Sequence, residues 1–298
     1  MDKFFKGLYT AQITPLSDGK LDIPSFMNLL NRQINAKVNG VVIGGSTGEV
    51  STLTLDEYKL LLNTSYKILN NKTQFIAGVS SNTPIKAVEL AQIAEGSGAD
   101  AIMCVMPFYN KAPQRGLIKY FEAIHEQTTI PIMLYTVPSR TGVDFTDDTI
   151  IELSKFDRII GLKDSAADIE RPLRLFNKLP QKFSLLSGED SNCLAYSAHG
   201  GVGCVSVISN IIPTICKSLQ DHLLNSEYTE ALKLQAKLIE LYRAIFVETN
   251  PIPIKFAASY LGLCNEEVRA PLVEITDNNI KNKIVKTLDS LSKDIDLL

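Results

Sequence analysis

A lysine follows a short apolar segment of the chain that is rich in β-branched residues. The segment 159–162 precedes Lys163, and the polar residues Asp164 and Ser165 come directly after it. This pattern is typical of a buried parallel strand that ends in a loop. If the strand belongs to a barrel, active-site groups lie at its carboxyl end, and we expect the amine of Lys163 to point into a pocket. Burial disfavours the charged form of an amine, which makes Lys163 a candidate nucleophile toward a carbonyl carbon.

Taken alone, Lys163 is more simply explained as a side chain that extends to solvent, so the groups at other strand ends carry the argument. Ser46 and Thr47 lie in a glycine-rich turn, whose hydroxyl and N–H groups can hold a carboxylate. Tyr135 ends another apolar segment, where a phenol can carry a proton to or from an intermediate. Arg140 can bind a carboxylate through two parallel hydrogen bonds. Each has a structural explanation by itself, but the set suits imine chemistry on a keto acid and needs no metal or organic cofactor.

Small residues end two further apolar segments. Gly188 follows one of them, and three glycines at 200, 201 and 203 precede Val205 in the other. These residues leave room for a ligand beside Lys163. Tyr109 follows the apolar segment 101–105, where an aromatic side chain packed under a loop is the simpler explanation.

Short apolar segments alternate with amphipathic ones through most of the chain, which predicts a (β/α)8 barrel, the TIM-barrel fold of the α/β class. A doubly wound sheet is the competing architecture, but no GxGxxG motif follows the first strand. The predicted strands are 7–13, 40–43, 74–79, 101–105, 131–135, 159–163, 184–187 and 202–207. The predicted helices between them include 25–36, 55–69, 85–97, 116–127 and 146–154.

The strand pattern stops after about residue 224, and helical patterns follow at 228–244, 253–261 and 280–292. We therefore predict a catalytic barrel over residues 1–226 and a small α-helical C-terminal domain over residues 227–298.

Composition excludes several classes of function. The 298 residues carry a net charge of only −3, which gives no electrostatic reason to expect nucleic acid or an anionic membrane as partner. No apolar run approaches the roughly 18 residues that span a bilayer. Five cysteines form no CxxC motif and three histidines are far apart, so we expect reduced thiols, no metal site and a cytoplasmic protein.

Seven motifs in register identify a resemblance to a known family. The motifs GSTGE, PFYNK, YTVPSRTG, GLKDS, SGED, GGVGCVSV and NPIPIK resemble those of the dihydrodipicolinate synthase/N-acetylneuraminate lyase superfamily of class I aldolases, in order and over nearly the whole chain. The resemblance implies a (β/α)8 barrel with a C-terminal helical domain, assembled as a homotetramer that is a dimer of dimers. It also implies an imine between Lys163 and pyruvate or another 2-keto acid, with no cofactor and no metal.

The resemblance assigns roles to the candidate residues. Tyr135 falls on the family's proton-relaying tyrosine. Ser46 and Thr47 fall on the pair that contacts the pyruvate carboxylate and links the tyrosines of a catalytic Tyr–Thr–Tyr relay. Tyr109 falls on a second tyrosine of the relay, which reaches in from the neighbouring subunit. Gly188 and Val205 would line the pyruvate pocket through main-chain groups.

The loop after the fifth strand favours one branch of the superfamily. Arg140 stands where the synthases have an arginine that binds the carboxylate of L-aspartate 4-semialdehyde, and sialic acid lyases lack it there. Two details depart from the usual synthase pattern, Ser46 in place of threonine and Thr136 in place of asparagine. The expected function is condensation of pyruvate with this aldehyde, in the diaminopimelate route to lysine. The alternatives are a lyase acting on a sugar-derived keto acid and a non-catalytic binding protein.

The resemblance also bears on feedback inhibition by lysine. Synthases that respond to lysine use a histidine, a glutamate and a tyrosine at a subunit interface, and these positions fall on Tyr58, Lys86 and Phe108. Asn82 is the one residue of the lysine-binding set that this sequence retains. We therefore expect weak or absent inhibition.

Overall fold

Eight parallel strands close into a barrel in the computed structural model, which describes residues 3–293. Each strand pairs with the next one in the chain, and the eighth pairs with the first. The strands are β1 Gly7–Ala11, β2 Gly40–Ile43, β3 Gln74–Val79, β4 Ala101–Val105, β5 Ile132–Thr136, β6 Ile159–Asp164, β7 Ser184–Ser187 and β8 Gly203–Ser206. A short antiparallel hairpin of Leu16–Ser17 and Lys20–Leu21 follows β1. The predicted (β/α)8 fold is confirmed.

Helices connect the strands and cover the outside of the barrel. They are α1 Ile23–Asn35, α2 Leu55–Leu69, α3 Pro84–Gly96, α4 Gln114–Glu126, α5 Pro138–Thr141, α6 Asp147–Leu153, α7 Arg171–Leu175, α8 Cys193–Ala198 and α9 Pro213–Leu224. Side-chain caps define several starts: Asp22 accepts a hydrogen bond from the N–H of Ser25, and Thr54 forms a reciprocal capping box with Glu57. Such caps satisfy N–H groups that have no partner inside the helix.

Strand β5 shows how the pleat sorts its side chains between two cores. Met133 and Tyr135 point into the barrel, where they belong to a cluster that also contains Phe5. Ile132 and Leu134 point outward and pack in the larger cluster beneath the helices. Because side chains alternate along a strand, this register also brings Tyr135 to the top of the barrel interior.

Two of the predicted strands are too long. At their carboxyl ends polar side chains accept hydrogen bonds from backbone N–H groups in place of a neighbouring strand. β1 ends at Ala11, because the N–H of Ile13 donates to the side-chain oxygen of Asn210, 3.0 Å away. β8 ends at Ser206, because the N–H of Val207 donates to the Asp190 carboxylate at 2.8 Å. Both strands thus turn into the loops that form the top of the barrel.

Three helices follow the barrel: α10 Tyr228–Ile245, α11 Ile252–Tyr260 and α12 Asn278–Leu291. α10 packs against α9 and α12, which joins these helices to the barrel. The division at residue 226 stays a prediction, and its outermost residues, 1–2 and 294–298, lie outside the described part of the chain. Within residues 3–293 no helix is both long and apolar enough to cross a membrane.

Candidate active site

Lys163 and Tyr135 lie side by side at the top of the barrel. They are register partners on the neighbouring strands β6 and β5. The Lys163 Nζ lies 4.2 Å from the centroid of the Tyr135 ring, and each residue is only 5% exposed. The structure therefore brings together a shielded amine and a phenol, as a lysine nucleophile with a tyrosine proton carrier requires.

Gly188 leaves space beside this lysine. A Cβ atom at position 188 would lie 3.1 Å from Lys163 Cε and 2.0 Å from Ser165 Oγ. Any side chain there would displace the lysine stem or the Ser165 hydroxyl. The glycine after β7 is thus required for the observed positions of Lys163 and Ser165, and its predicted role in leaving room for a ligand stays a prediction.

A cavity of about 550 Å³ opens above the lysine. Its walls include the predicted residues Ser46, Thr47, Tyr135, Arg140, Lys163 and Gly188. The other residues of the wall are Val137, Ser139, Ser165, Glu189, Val207, Phe246, Glu248, Thr249 and Asn250. Six of the eight predicted site residues therefore share one cavity, whose volume suits two small organic acids.

The loop after β2 carries Ser46 and Thr47 to the cavity on a glycine-rich backbone. Gly44 has φ +72°, a conformation that glycine adopts without steric cost. The Thr14 hydroxyl donates to the carbonyl of Gly48 at 2.8 Å and holds the end of the turn. Thr47 is buried, and its Oγ1 accepts a hydrogen bond from Asn250 Nδ2 at 2.8 Å.

Arg140 reaches the cavity from the short helix α5. Its Nη2 donates to the main-chain carbonyl of Asn250 at 2.8 Å. Within residues 3–293 this is the one hydrogen bond that Arg140 forms, which leaves its other N–H groups for an anion. This geometry agrees with the predicted role of Arg140 in binding a carboxylate.

Two of the eight predicted site residues are not on this cavity. Val205 pairs with Tyr9 in the sheet, and its side chain belongs to the cluster inside the barrel. Val207, two residues later, lines the cavity, and the predicted contact of the Val205 main chain with pyruvate stays a prediction. Tyr109 is 88% exposed on a loop where it has φ +69°, and it does not line the cavity of its own subunit.

Two acidic residues, Glu189 and Asp190, lie near the lysine. Glu189 lines the cavity, and burial raises the pKa of its carboxyl although the Lys163 amine nearby opposes the rise. Burial also raises the pKa of Asp190, which accepts hydrogen bonds from the N–H groups of Val207 and Ile208. Burial thus favours the neutral form of both carboxyl groups, and the nearby Lys163 amine opposes this effect.

A buried ionic network lies behind the pair of strands that carries Lys163 and Tyr135. Asp164, next to the lysine on β6, forms an ion pair with Arg171 at 3.0 Å. Arg171 also contacts Asp144 at 2.6 Å, and Asp144 accepts a hydrogen bond from Thr136 on β5 at 2.6 Å. The network therefore ties the outward faces of both strands together, one residue beyond the groups that face the cavity. Burial raises the pKa of Asp164, and Arg171 opposes that rise.

Sequence reasoning missed several residues of the cavity, above all Asn250 and Glu189. Both lie in motifs used to recognise the family, NPIPIK and SGED, but neither was given a role. Asn250 belongs to the segment before α11, far along the chain from the barrel loops. Only tertiary packing brings it to Thr47.

A second cavity, of about 500 Å³, opens on another side of the Thr47 loop. It is lined by all four residues that the resemblance assigns to the lysine site, Tyr58, Asn82, Lys86 and Phe108. The Tyr58 hydroxyl donates to the carbonyl of Gly78 at 3.0 Å, and the Lys86 amine pairs with Glu89 at 2.8 Å. These contacts engage the two polar side chains that replace the histidine and the glutamate.

The described residues 3–293 contain no group of three or more His, Cys, Asp or Glu side chains arranged to hold a metal ion. All five cysteines are free, and four of them are buried.

Known proteins match this chain in both sequence and fold. The model of the dihydrodipicolinate synthetase family matches residues 4–291. The 4-hydroxy-tetrahydrodipicolinate synthase of Rickettsia bellii is 52% identical over 292 residues, which cover 98% of this chain and 99% of that protein. The structure of the 4-hydroxy-tetrahydrodipicolinate synthase from Methylacidiphilum fumariolicum SolV has a TM-score of 0.95 at 36% identity, over 97% of this chain and 96% of that one.

A third relative was solved with a ligand. The dihydrodipicolinate synthase of Acinetobacter baumannii, complexed with pyruvate, has a TM-score of 0.93 at 33% identity, over 96% of this chain and 99% of that one.

Proposed function

Because the chain belongs to the dihydrodipicolinate synthetase family and functions as a 4-hydroxy-tetrahydrodipicolinate synthase, a lyase, we propose that it joins pyruvate to L-aspartate 4-semialdehyde through an imine on Lys163. The observation that carries this proposal is the shielded amine of Lys163 beside the Tyr135 ring, on a cavity that also presents Thr47 and Arg140. The A. baumannii relative binds pyruvate, the substrate that the amine would attack first.

The first stage forms the imine. The Lys163 amine attacks the keto carbon of pyruvate, and loss of water leaves a carbon–nitrogen double bond. The pyruvate carboxylate accepts hydrogen bonds from Ser46 and Thr47 on the loop after β2, and Gly188 supplies the space for the adduct. Tyr135 carries protons to and from the intermediates.

The second stage makes the carbon–carbon bond. A proton leaves the pyruvate methyl group to give an enamine, whose terminal carbon attacks the aldehyde carbon of the semialdehyde. Arg140 holds the carboxylate of this substrate. That amine then attacks the imine carbon and displaces Lys163, which closes the ring of 4-hydroxy-tetrahydrodipicolinate and frees the lysine.

The exposed Tyr109 supports a site that is completed between subunits. The Tyr109 side chain is 88% exposed on its loop, so it is available to contact a neighbouring subunit. We propose that the chain forms a homotetramer in which Tyr109 enters the neighbouring subunit's relay. Sedimentation velocity of the wild type gives the oligomeric state, and steady-state kinetics of a Tyr109→Phe variant measures the effect of losing the hydroxyl. A tetrameric wild type with a reduced kcat in the variant supports the proposal, and a fully active monomer contradicts it.

The free cysteines favour a reducing compartment, and we propose that the protein works in the cytoplasm. Fractionation of cells that produce the protein tests this.

Two linked measurements test the proposed reaction. Borohydride reduction in the presence of pyruvate should add the mass of one reduced pyruvate adduct to Lys163 in the wild type and none in Lys163→Arg, which keeps the positive charge but forms no imine. Turnover with L-aspartate 4-semialdehyde, coupled to a reductase that consumes the product, should be present in the wild type and should collapse in Arg140→Ala. An adduct without turnover of this aldehyde would instead indicate a lyase for sugar-derived keto acids. Absence of the adduct would contradict imine chemistry altogether.

A further inference from the structure

Asn250 contacts two of the groups that are proposed to bind substrate carboxylates, Thr47 and Arg140. Its side-chain Nδ2 donates to Thr47 Oγ1 at 2.8 Å, and its main-chain carbonyl accepts from Arg140 Nη2 at 2.8 Å. It also lines the cavity. Within residues 3–293 its Oδ1 is buried and has no hydrogen-bond partner. A polar side chain that leaves one buried oxygen unpaired and still holds Thr47 needs an explanation beyond local stability.

The polarity of the bond to Thr47 supplies that explanation. A hydroxyl has one proton to donate and two lone pairs that accept. Because an amide nitrogen only donates, Thr47 uses a lone pair toward Asn250 and keeps its proton for another partner. An ionised carboxylate accepts hydrogen bonds and donates none, so a keto acid bound in the cavity needs this proton.

We propose that Asn250 is a positioning residue that orients the Thr47 hydroxyl as a donor toward the carboxylate of the keto acid. The inference rests on the proposed function, since it takes a 2-keto acid as the occupant of the cavity next to Lys163. Asn250 does not touch the reacting carbon in this scheme. It acts through Thr47.

The opposite orientation of the amide makes the alternative concrete. Exchanging its two ends would let Oδ1 take the proton of Thr47 and would put two N–H groups at the buried, unpaired position. Thr47 would then face the keto acid with lone pairs only, against a ligand that also has only lone pairs there. The two orientations therefore predict opposite effects of an acceptor-only side chain at position 250.

The contact with Arg140 provides an internal control. Arg140 bonds to the main-chain oxygen of residue 250, which every substitution retains. Changes to the side chain should therefore alter the KM for pyruvate and leave the KM for L-aspartate 4-semialdehyde within about twofold. A general loosening of the loop would raise both values.

The decisive experiment compares Asn250→Asp with Asn250→Leu, each alone and combined with Thr47→Val. Aspartate has the shape of asparagine but only accepts, so it captures the proton of Thr47, and kcat/KM for pyruvate should fall about 30-fold or more. Leucine removes the bond without reversing it, and we expect a loss of about 3–10-fold. In the Thr47→Val background, which has no hydroxyl to orient, both substitutions should change kcat/KM for pyruvate by less than about twofold.

Three outcomes would overturn the inference. The first is an Asn250→Asp enzyme at least as active as Asn250→Leu. The second is a loss in Asn250→Asp that persists in the Thr47→Val background, which would indicate repulsion of the substrate by the new charge. The third is an equal rise of both KM values. If Asn250→Asp does not fold, the effect of Asn250→Leu with and without Thr47→Val still tests the inference. A loss of kcat/KM for pyruvate that persists without the Thr47 hydroxyl does not act through Thr47 and would overturn it.

Borohydride trapping separates this inference from the proposed function. A wild type that gains no pyruvate mass on Lys163 would refute the proposed function itself. A wild type that gains it, with variants that do not follow the expected order, would refute only the role of Asn250.

Discussion

Glu49 and Lys255 form a buried ion pair that joins the loop after β2 to helix α11. The Lys255 Nζ lies 2.7 Å from Glu49 Oε1, although 206 positions separate the two residues in the chain. Their side chains are 0% and 1% exposed. Glu49 Oε2 also accepts a hydrogen bond from the N–H of Arg269 at 2.9 Å. Glu49 ends the GSTGE motif and Lys255 ends the NPIPIK motif, so the ion pair connects the two motifs. The C-terminal helices therefore help to hold the turn that presents Thr47.

Removing one partner of this ion pair should lower the free energy of unfolding more than replacing both partners with uncharged side chains. Lys255→Met leaves the Glu49 carboxylate buried without its counter-charge, and we expect the free energy of unfolding to fall by about 3–5 kcal/mol. The double variant Glu49→Gln/Lys255→Met removes both charges and should recover roughly 2 kcal/mol of that loss. Urea unfolding of the wild type, both single variants and the double variant gives the four values. A double variant no more stable than Lys255→Met would mean that the charge left behind is not what destabilises the single variant.

Tyr135→Phe should separate the proton carrier from the packing of the lysine. Phenylalanine keeps the ring beside Lys163 and removes only the hydroxyl, so the shielding of the amine persists while proton transfer loses its carrier. We expect kcat to fall about 100–1,000-fold. Steady-state kinetics measures this, and an unchanged melting temperature is the control for the fold. Activity within about twofold of the wild type would assign the protons to another group.

The capping residue Glu57 makes stability depend on pH in the acidic range. The Arg269 guanidinium binds both carboxylate oxygens at 2.8 Å and lowers the pKa of Glu57 from 4.5 to about 2. Since the folded pKa lies below the unfolded one, the charged pair stabilises the fold above about pH 4.5, and this contribution is lost as the pH falls toward 2. The pair is partly exposed, so we expect a contribution of only about 1 kcal/mol.

Glu57→Gln isolates that contribution. The difference in free energy of unfolding between the wild type and this variant should be largest near neutral pH and should shrink as the pH is lowered below about 4.5. Taking the difference cancels the buried carboxyl groups Asp164 and Asp190, whose pKa values are raised and which titrate in both proteins. A difference that stays constant with pH would contradict the assignment to Glu57.

The barrel could be predicted from the sequence because its strands are short apolar segments that alternate regularly with amphipathic helical segments. The ends of the strands could not be predicted, because side chains distant in sequence terminate them. Asn210 accepts a hydrogen bond from the N–H of Ile13, and Asp190 accepts one from the N–H of Val207. The same limit explains why the sequence did not single out Val207. It lies just after β8, which ends at Ser206, and it lines the cavity.

The candidate site was predictable where a residue sits on a strand or in the loop after it. Lys163 and Tyr135 follow from the pleat and register of β6 and β5. Asn250 does not, because its position depends on how the segment before α11 packs over the barrel. No periodicity in the sequence encodes that contact.

Feedback by lysine should be weak or absent, and the second cavity gives the physical reasons. A ligand amino group entering it would meet the Lys86 ammonium rather than an acid, and Phe108 offers no hydroxyl. The Tyr58 hydroxyl is already engaged with the carbonyl of Gly78. Initial rates at saturating pyruvate and increasing lysine should show no inhibition at sub-millimolar concentrations. A Lys86→Glu variant should be more sensitive, because it exchanges repulsion for attraction at the amino group. Sub-millimolar inhibition of the wild type would mean that lysine binds through contacts other than these.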